Sequence, residues 1–384
     1  MATKAFDTLE FIFVCVLGAT IPLSVSAPLI AMAFLLILMI LRAIFLRDVD
    51  FEVLPFLWPL LAFIGVSVIS YFFSQNESSW QTIIPREFLV YLLLFAALKT
   101  YKQARWVVVL TITSAVVASI VGVFQYFGAF GFSNVSADGR IQGLVDTNTL
   151  AGILAMLLPM VISFAISAHS TRDRVIVIIA ACFMSTALVF TYTRGAWFGA
   201  VAGILLVVAL SNWKFIPAIL AVVFLVLAVQ PKVYNRFVSG FGILGNEERV
   251  ELYKNSVDLL RQYPVFGIGP GAFRKVFYEK YFSPNKHRHA HNIFLNIAVE
   301  RGVVAAGIFV WLLVSIALYL FRTYEFAAGE EKTVLLGILS GLADFVVHGM
   351  VDNTFADETG YILFLLLAVA VLINKKMVER EENS

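Results

Sequence analysis

What this chain lacks is charge. Of its 384 residues only 14% are Asp, Glu, Lys or Arg, against 60% that are hydrophobic. A soluble globular domain is usually about a quarter charged and about half apolar. The shortage excludes an ordinary water-facing surface over most of the chain and implies a membrane as solvent. Net charge is scarce as well: a formal +2 offers no concentrated basic surface for phosphate backbones, which argues against a nucleic-acid partner. Cysteine is nearly absent. Cys15 and Cys182 each fall inside an apolar run, where they read as small buried hydrophobes, so no disulfide framework or cysteine metal site is expected. No internal repeat is visible. The first apolar run has no small-residue cleavage pattern after a basic start, so it reads as a retained helix and not as a signal peptide.

What is abundant is long apolar runs. A helix needs roughly 20 mostly apolar residues to cross the hydrocarbon core, and runs meeting or approaching that length fall at 9–25, 27–46, 54–73, 86–98, 106–128, 148–168, 175–193, 196–212, 213–230, 302–322, 332–352 and 358–374. The fourth is short, and the first two meet at Pro28, so eleven spans or a broken helix there is an alternative. The expected fold is all-α: one integral membrane domain over 1–384, a transmembrane helical bundle of about twelve spans. With both ends cytoplasmic, the cytoplasmic short loops carry fourteen Lys and Arg and the opposite ones carry four, Arg86, Arg140, Arg194 and Arg301; basic residues collect on the cytoplasmic side of a membrane. This orientation puts residues 231–291, between spans nine and ten, on the periplasmic face. That one large loop holds the other ten basic residues, as long loops are free to do. Asn246 is placed to cap an amphipathic helix with Glu247 and Glu248 in its first turn and Val250, Tyr253, Val257 and Leu260 on one face, lying on membrane lipid. Pro264 ends it, and a second helical pattern runs from Ala272 to Tyr281.

Ionisable groups at membrane depth are costly and usually functional, which directs attention to four places. Arg194 stands at the outer end of the seventh span, followed by Gly195, which would allow a tight turn; the bland alternative is an interfacial arginine among aromatics. Arg140 lies in the glycine-flanked segment Asp138-Gly139-Arg140-Ile141-Gln142-Gly143, with Asn148 opening the next span. Arg249, Lys254 and Arg261 share the amphipathic helix, where lipid headgroups alone would also favour basic residues. Lys286-His287-Arg288-His289-Ala290-His291-Asn292 gathers three of the five histidines; alternate histidines could bind zinc, and a histidine is also the usual general base for a hydroxyl. Asp344, His348 and Asp352 fall four apart, on one helix face, and are expected to meet a polar cavity. Gly267 to Gly271 reads as a structural turn and not as a dinucleotide fingerprint, since no strand precedes it. Asp48-Val49-Asp50 resembles a metal-nucleotide pattern, but no nucleotide-binding domain surrounds it.

The chain resembles the O-antigen ligase and polymerase superfamily, membrane glycosyltransferases acting on undecaprenyl diphosphate-linked glycans. The likeness lies in topology over nearly the whole chain and in motifs between Arg140 and Gly302. The family's histidine motif, His, a small polar residue, nine positions and Gly, is met by His291, Asn292 and Gly302, with Ala305 where Gly, Thr or Tyr is usual. Its arginine-glycine turn is met by Arg194-Gly195. Its loop helix is met by Arg249-Val250-Glu251-Leu252-Tyr253, with Tyr where Trp is commoner. An arginine-to-asparagine segment corresponds to Arg140 and Asn148, with Thr147 in place of Pro.

The resemblance implies a GT-C-like bundle in the bacterial inner membrane, with its active site facing the periplasm. It implies His291 as base, with Arg249 and Arg194 holding the diphosphate in place of a metal or other cofactor. Arg140, Asn148, His289, Asn292, Arg261 and Asp352 are the expected substrate-binding set. The expected reaction is inverting transfer of a glycan from undecaprenyl diphosphate to a hydroxyl of lipid A core oligosaccharide. Alternatives are polymerisation onto a growing glycan, transfer to a protein hydroxyl or, from a different class, a transporter or flippase. An asparagine-linked oligosaccharyltransferase fits less well, because its large soluble C-terminal domain has no counterpart.

Overall fold

The computed structural model describes residues 2–46, 54–74, 78–129, 135, 139–229, 231–238, 247–281, 287–355 and 358–382. Asn246, Asp138, Lys286 and the Asp48-Val49-Asp50 segment lie outside these. Among the described residues there are fifteen α-helices and no strand, only an isolated bridge between Val135 and Ile141. In chain order they are α1 Ala2–Thr20, α2 Ala27–Leu46, α3 Leu57–Phe73, α4 Arg86–Ala97, α5 Tyr101–Phe127, α6 Thr147–Ser167, α7 Thr171–Phe190, α8 Arg194–Asn212, α9 Ile216–Val229, α10 Pro231–Val238, α11 Glu247–Gln262, α12 Phe273–Tyr281, α13 Ile293–Phe326, α14 Gly329–Gly349 and α15 Glu358–Glu382.

Each of the twelve apolar runs coincides with one helix. Eight are long and apolar enough to span a membrane, whereas α3, α4 and α9 are shorter and α1 carries Lys4, Asp7 and Glu10. The protein is a polytopic helical membrane protein. Pro28 does not break a helix: α1 and α2 are separate, and Pro28 sits in the first turn of α2, where its missing N–H costs no hydrogen bond.

Helix α14 is the axis of the bundle, packing most extensively on α8 and α6. Close approach is possible because small residues face it; a Cβ on Gly203 would meet the Ser340 carbonyl at 2.8 Å, and one on Gly337 would meet Met160 Cγ at 2.6 Å. Small residues at helix contacts let backbones approach where lipid gives no hydrophobic drive. By contrast α2 and α7 turn Ile30, Phe34, Ile37, Ile176 and Ile179 outward, as lipid-facing helices do. At the end of the bundle bearing the chain termini, Glu331 binds Lys376 at 2.6 Å and Arg380 at 3.1 Å, tying α14 to α15, and Arg42 binds Asp7 and Glu10, tying α2 to α1.

The opposite end carries α10, α11 and α12. Helices α11 and α12 form a small second core with the start of α13, in which Leu252, Leu259, Ile268, Phe273, Phe277, Ala290 and Val299 are buried together. On α11 the stripe buried in this core is Leu252, Ser256 and Leu259, while Val250 and Val257 of the apolar face expected to lie on lipid are exposed. The helix packs on α13 with the stripe next to the one its apolar periodicity suggests. The core is pinned to a kink in α13. Gly302 has φ 87°, and a Cβ there would run into the Val265 carbonyl oxygen. The backbone groups released by the kink bond to the loop: Val303 N to Pro264 O, Ile268 N to Val299 O and Gly269 N to Glu300 O, each at 2.9 Å, as buried backbone groups require. Gly267 to Gly271 is thus a structural docking turn, and Ser70 and Ser74 of α3 donate to its carbonyls at Phe266 and Ile268.

Candidate active site

The nine-residue spacing of the histidine motif has a local cause. Asn292 caps α13, its side chain accepting from Leu295 N at 2.9 Å, and Gly302 kinks the same helix two and a half turns on. The cap gives one orphan N–H a partner. Asn292 Nδ2 also donates to Met350 O at 2.8 Å, which fastens the start of α13 to the end of α14. His291, just before the cap, has φ 47°, a region bulky residues rarely occupy and one that clusters at functional sites. Three contacts hold it there: Tyr253 OH of α11 donates to its carbonyl at 2.9 Å, its N–H meets His289 Nδ1 at 3.3 Å, and its Nδ1 lies 2.8 Å from Asp352 Oδ1.

Asp352 follows the last turn of α14, its N–H bonding to His348 O at 3.0 Å. Burial pushes the Asp352 carboxyl up, but the hydrogen bond from His291 and the neighbouring histidines outweigh it and hold the carboxyl well below the usual carboxylate range. An ionised Asp352 only accepts, so the proton between the two residues sits on His291 Nδ1. That fixes the tautomer with the lone pair on Nε2, the arrangement a general base needs.

Arg194 is the first residue of α8, whose N-cap Thr193 makes no side-chain cap hydrogen bond. The open helix N-terminus adds its own N–H groups and dipole to any anion bound there. Arg236 of α10 and Arg249 of α11 are close enough that their charges act on Arg194, and Arg249 also acts on His348. Arg236 was not among the residues the sequence singled out. Its only sequence signal is a basic position in a short helix directly after the ninth apolar run.

Gly195 serves a different end from the expected turn: it is helical, and a Cβ there would lie 2.7 Å from His348 Cδ2. The arginine-glycine pair therefore brings Arg194 against α14. Arg140 spends its guanidinium on this junction, donating to Thr191 O at 2.7 Å, Asn148 Oδ1 at 2.8 Å and Thr193 Oγ1 at 2.8 Å. It braces the turn between α7 and α8 against α6. Arg261 is exposed on the last turn of α11, twelve residues and about 18 Å along the helix from Arg249, and is not brought to the cluster. Lys254 is exposed as well.

His287 turns to Glu248, its Nε2 3.3 Å from Oε1. His289 stacks edge-on against His291 with ring centroids 4.4 Å apart, and burial together with His291 lowers its pKa to about 4. Donor atoms of His289, His291 and Asp352 lie within 4.8 Å of one another, which makes them, among the described residues, a group that could hold a metal ion. Asp344 and His348, the other members of the fourfold spacing, are buried with no hydrogen-bond partner for their side-chain atoms. Behind Asp352 and His289 opens a cavity of about 670 Å³, also lined by Arg86, Asn148, Arg288, His348 and Glu358.

Among known proteins, residues 179–312 match the family model described as O-antigen ligase. No curated protein matches the chain. The matched stretch runs from α7 into α13 and holds Arg194, Arg236, Arg249, His289, His291, Asn292 and Gly302, whereas Arg140, His348 and Asp352 lie outside it. Over that site-bearing segment, about a third of the chain, the protein is similar to the O-antigen ligase family.

Proposed function

We propose that the protein is an O-antigen ligase-type glycosyltransferase of the bacterial inner membrane. It moves a glycan from undecaprenyl diphosphate to a hydroxyl of lipid A core oligosaccharide on the periplasmic face. The observation that carries this reading is the His291–Asp352 pair set beside three arginines at the open N-terminus of α8. The reaction needs a base for the acceptor hydroxyl and cations for a diphosphate leaving group. His291 Nε2 takes the acceptor proton as the acceptor oxygen bonds to the anomeric carbon, and the bond from that carbon to the diphosphate oxygen breaks. Arg194, Arg236 and Arg249 hold the diphosphate as charge builds on it, and Arg–phosphate contacts are both strong and directional. Attack from the face opposite the diphosphate inverts the anomeric centre. A polymerase joining lipid-linked repeat units would use the same groups, the acceptor being a growing glycan.

The test is transfer by the purified protein in lipid, supplied with undecaprenyl diphosphate glycan and either lipid A core or lipid-linked repeat units. Label on lipid A core supports the ligase and elongation alone the polymerase, with His291→Ala abolishing either. Movement of the lipid-linked glycan across vesicles without transfer would overturn both in favour of a flippase. A zinc reading has one observation in its favour, the His289, His291 and Asp352 triad. Activity lost to a chelator and restored by zinc would give it preference.

A further inference from the structure

The cavity behind Asp352 is unlike the arginine cluster in composition. Its lining mixes Glu87, Asp146, Glu300, Asp352 and Glu358 with Arg86, Arg288 and Arg301, and Arg301 is already bound to Glu300 at 2.9 Å and to the Thr82 carbonyl at 2.8 Å. A lining of carboxyl and guanidinium groups together suits a ligand rich in hydroxyls, which can both donate and accept. Phe355 and Tyr361 add apolar faces to the wall, and about 670 Å³ falls within the roughly 300–1,000 Å³ of sites that enclose a small ligand.

The second observation is His348. Only 3% exposed, it lines this cavity, and neither ring nitrogen has a hydrogen-bond partner among the described residues. A buried polar group left without a hydrogen bond is costly, so an imidazole kept this way is suited to a ligand that supplies the missing bond. The surroundings make room for the ring: a Cβ on Gly195 would fall 2.7 Å from its Cδ2, and one on Gly152 3.6 Å from its Cε1. The cavity also ends at the right place. Asp352 and His289, both in its wall, are two of the side chains set against the His291 ring.

We infer that this cavity is the seat of the acceptor glycan, with His348 hydrogen-bonding a sugar hydroxyl so that the next hydroxyl is presented to His291. This rests on the glycosyl-transfer reading above. The same hydroxyl-rich chemistry is found in the sugar next to the donor's diphosphate. The acceptor is the better occupant, because the lining shares Asp352 and His289 with the surroundings of His291, whereas Arg194, Arg236 and Arg249 are not among the residues that line it.

The experiment uses the full chain in lipid nanodiscs, with lipid-free core oligosaccharide and undecaprenyl diphosphate as separate binding probes and transfer kinetics with each substrate varied in turn. The variants are His348→Leu and, at an exposed cavity position that leaves the helix core untouched, Arg86→Gln; size-exclusion profiles report folding. The expected result is at least a tenfold weaker oligosaccharide affinity and a matching rise in acceptor KM for His348→Leu. A smaller change in the same direction is expected for Arg86→Gln, with undecaprenyl diphosphate binding and donor KM within twofold of wild type. A rise in donor KM instead would assign the cavity to the donor sugar and overturn the proposal, as would folded variants with both affinities unchanged. Should the chain prove to transfer no glycan, saturable oligosaccharide binding that His348→Leu weakens still supports the pocket, and absence of such binding overturns it.

Discussion

Three arginines gather at the N-terminus of α8, whereas in the cavity that Asp352 lines acidic residues outnumber guanidiniums. The two regions are also built differently. Arg194 comes from the end of a membrane helix, but Arg236 and Arg249 come from α10 and α11, in the segment between two apolar helices. The cavity is walled by α2, α4, α6, α13, α14 and α15 and by the loop residues Gly271, Arg288 and His289. In the proposed reaction the loop helices would supply two of the three cations for the leaving group, and bundle and loop together would line the acceptor cavity. His291 stands on the seam, its carbonyl held by α11 and its ring by the residue after α14. In the proposed reaction the loop would complete an active site shared with the membrane helices and would not act as a separable catalytic domain.

The comparison breaks most severely at the seam. His291→Ala is expected to lower transfer by about 10²–10⁴-fold, the usual contribution of a positioned base, with substrate binding on both sides nearly unchanged. Asp352→Asn keeps the ring but removes the carboxylate that fixes its tautomer, for which a loss of roughly 10–100-fold is expected. Initial rates at saturating donor and acceptor check both. Equal losses in binding and rate would show that the pair is structural.

The next largest effect lies on the cationic side alone. Arg194→Ala and Arg249→Ala are each expected to cost about 10²–10³-fold in transfer, as removal of one stabilising donor does, with donor KM rising and acceptor KM unaffected. Lysine at either position should restore little, because a point charge does not reproduce a bidentate fork. Arg236→Ala separates the three: a loss of about tenfold is expected if it supports Arg194, and no change would remove it from the cluster. Donor titrations at two salt concentrations are the measurement.

How much of this was legible in the sequence depended on whether the information was local. All twelve apolar runs became helices because hydrophobic length is a local property, and His291, Asn292 and Gly302 were readable because a cap and a kink on one helix have fixed spacing. The buried face of α11 was not, since the choice between adjacent stripes was made by α13 and the Gly267 turn, residues far along the chain. The pairing of Asp352 with His291 spans 61 positions; the fourfold spacing with His348 gave the helix face but no partner. Gly195 carried the right address and the wrong reason: the need for glycine came from His348 across the bundle and not from the turn.

Gly302→Ala sharpens the comparison from the stability side. Its φ of 87° and the Val265 carbonyl against any Cβ mean the kink cannot form unstrained, at a cost of at least about 1–3 kcal/mol. Because the kink anchors the loop core, the expected outcome is a lower midpoint of thermal unfolding together with faster protease cleavage within α11 and α12, while the bundle stays intact. Uniform loss of all helices would show that loop and bundle unfold as one unit.

The smallest effect expected is a pH dependence carried by His289 on the seam. Burial and the neighbouring His291 lower its pKa to about 4, from about 6.5 in an unfolded chain. Above pH 6.5 both states are neutral and the residue is silent. As pH falls below 6.5 the unfolded chain takes up a proton that the folded protein refuses, so stability drops, and the loss levels off once pH passes about 4 and the folded state protonates too. His289→Gln removes this slope. Between pH 7.5 and 5 the wild-type midpoint should therefore fall further than that of the variant, the two curves diverging only below about pH 6.5. Parallel curves would mean that His289 titrates as a solvated histidine does and that its burial at the seam does not hold in solution.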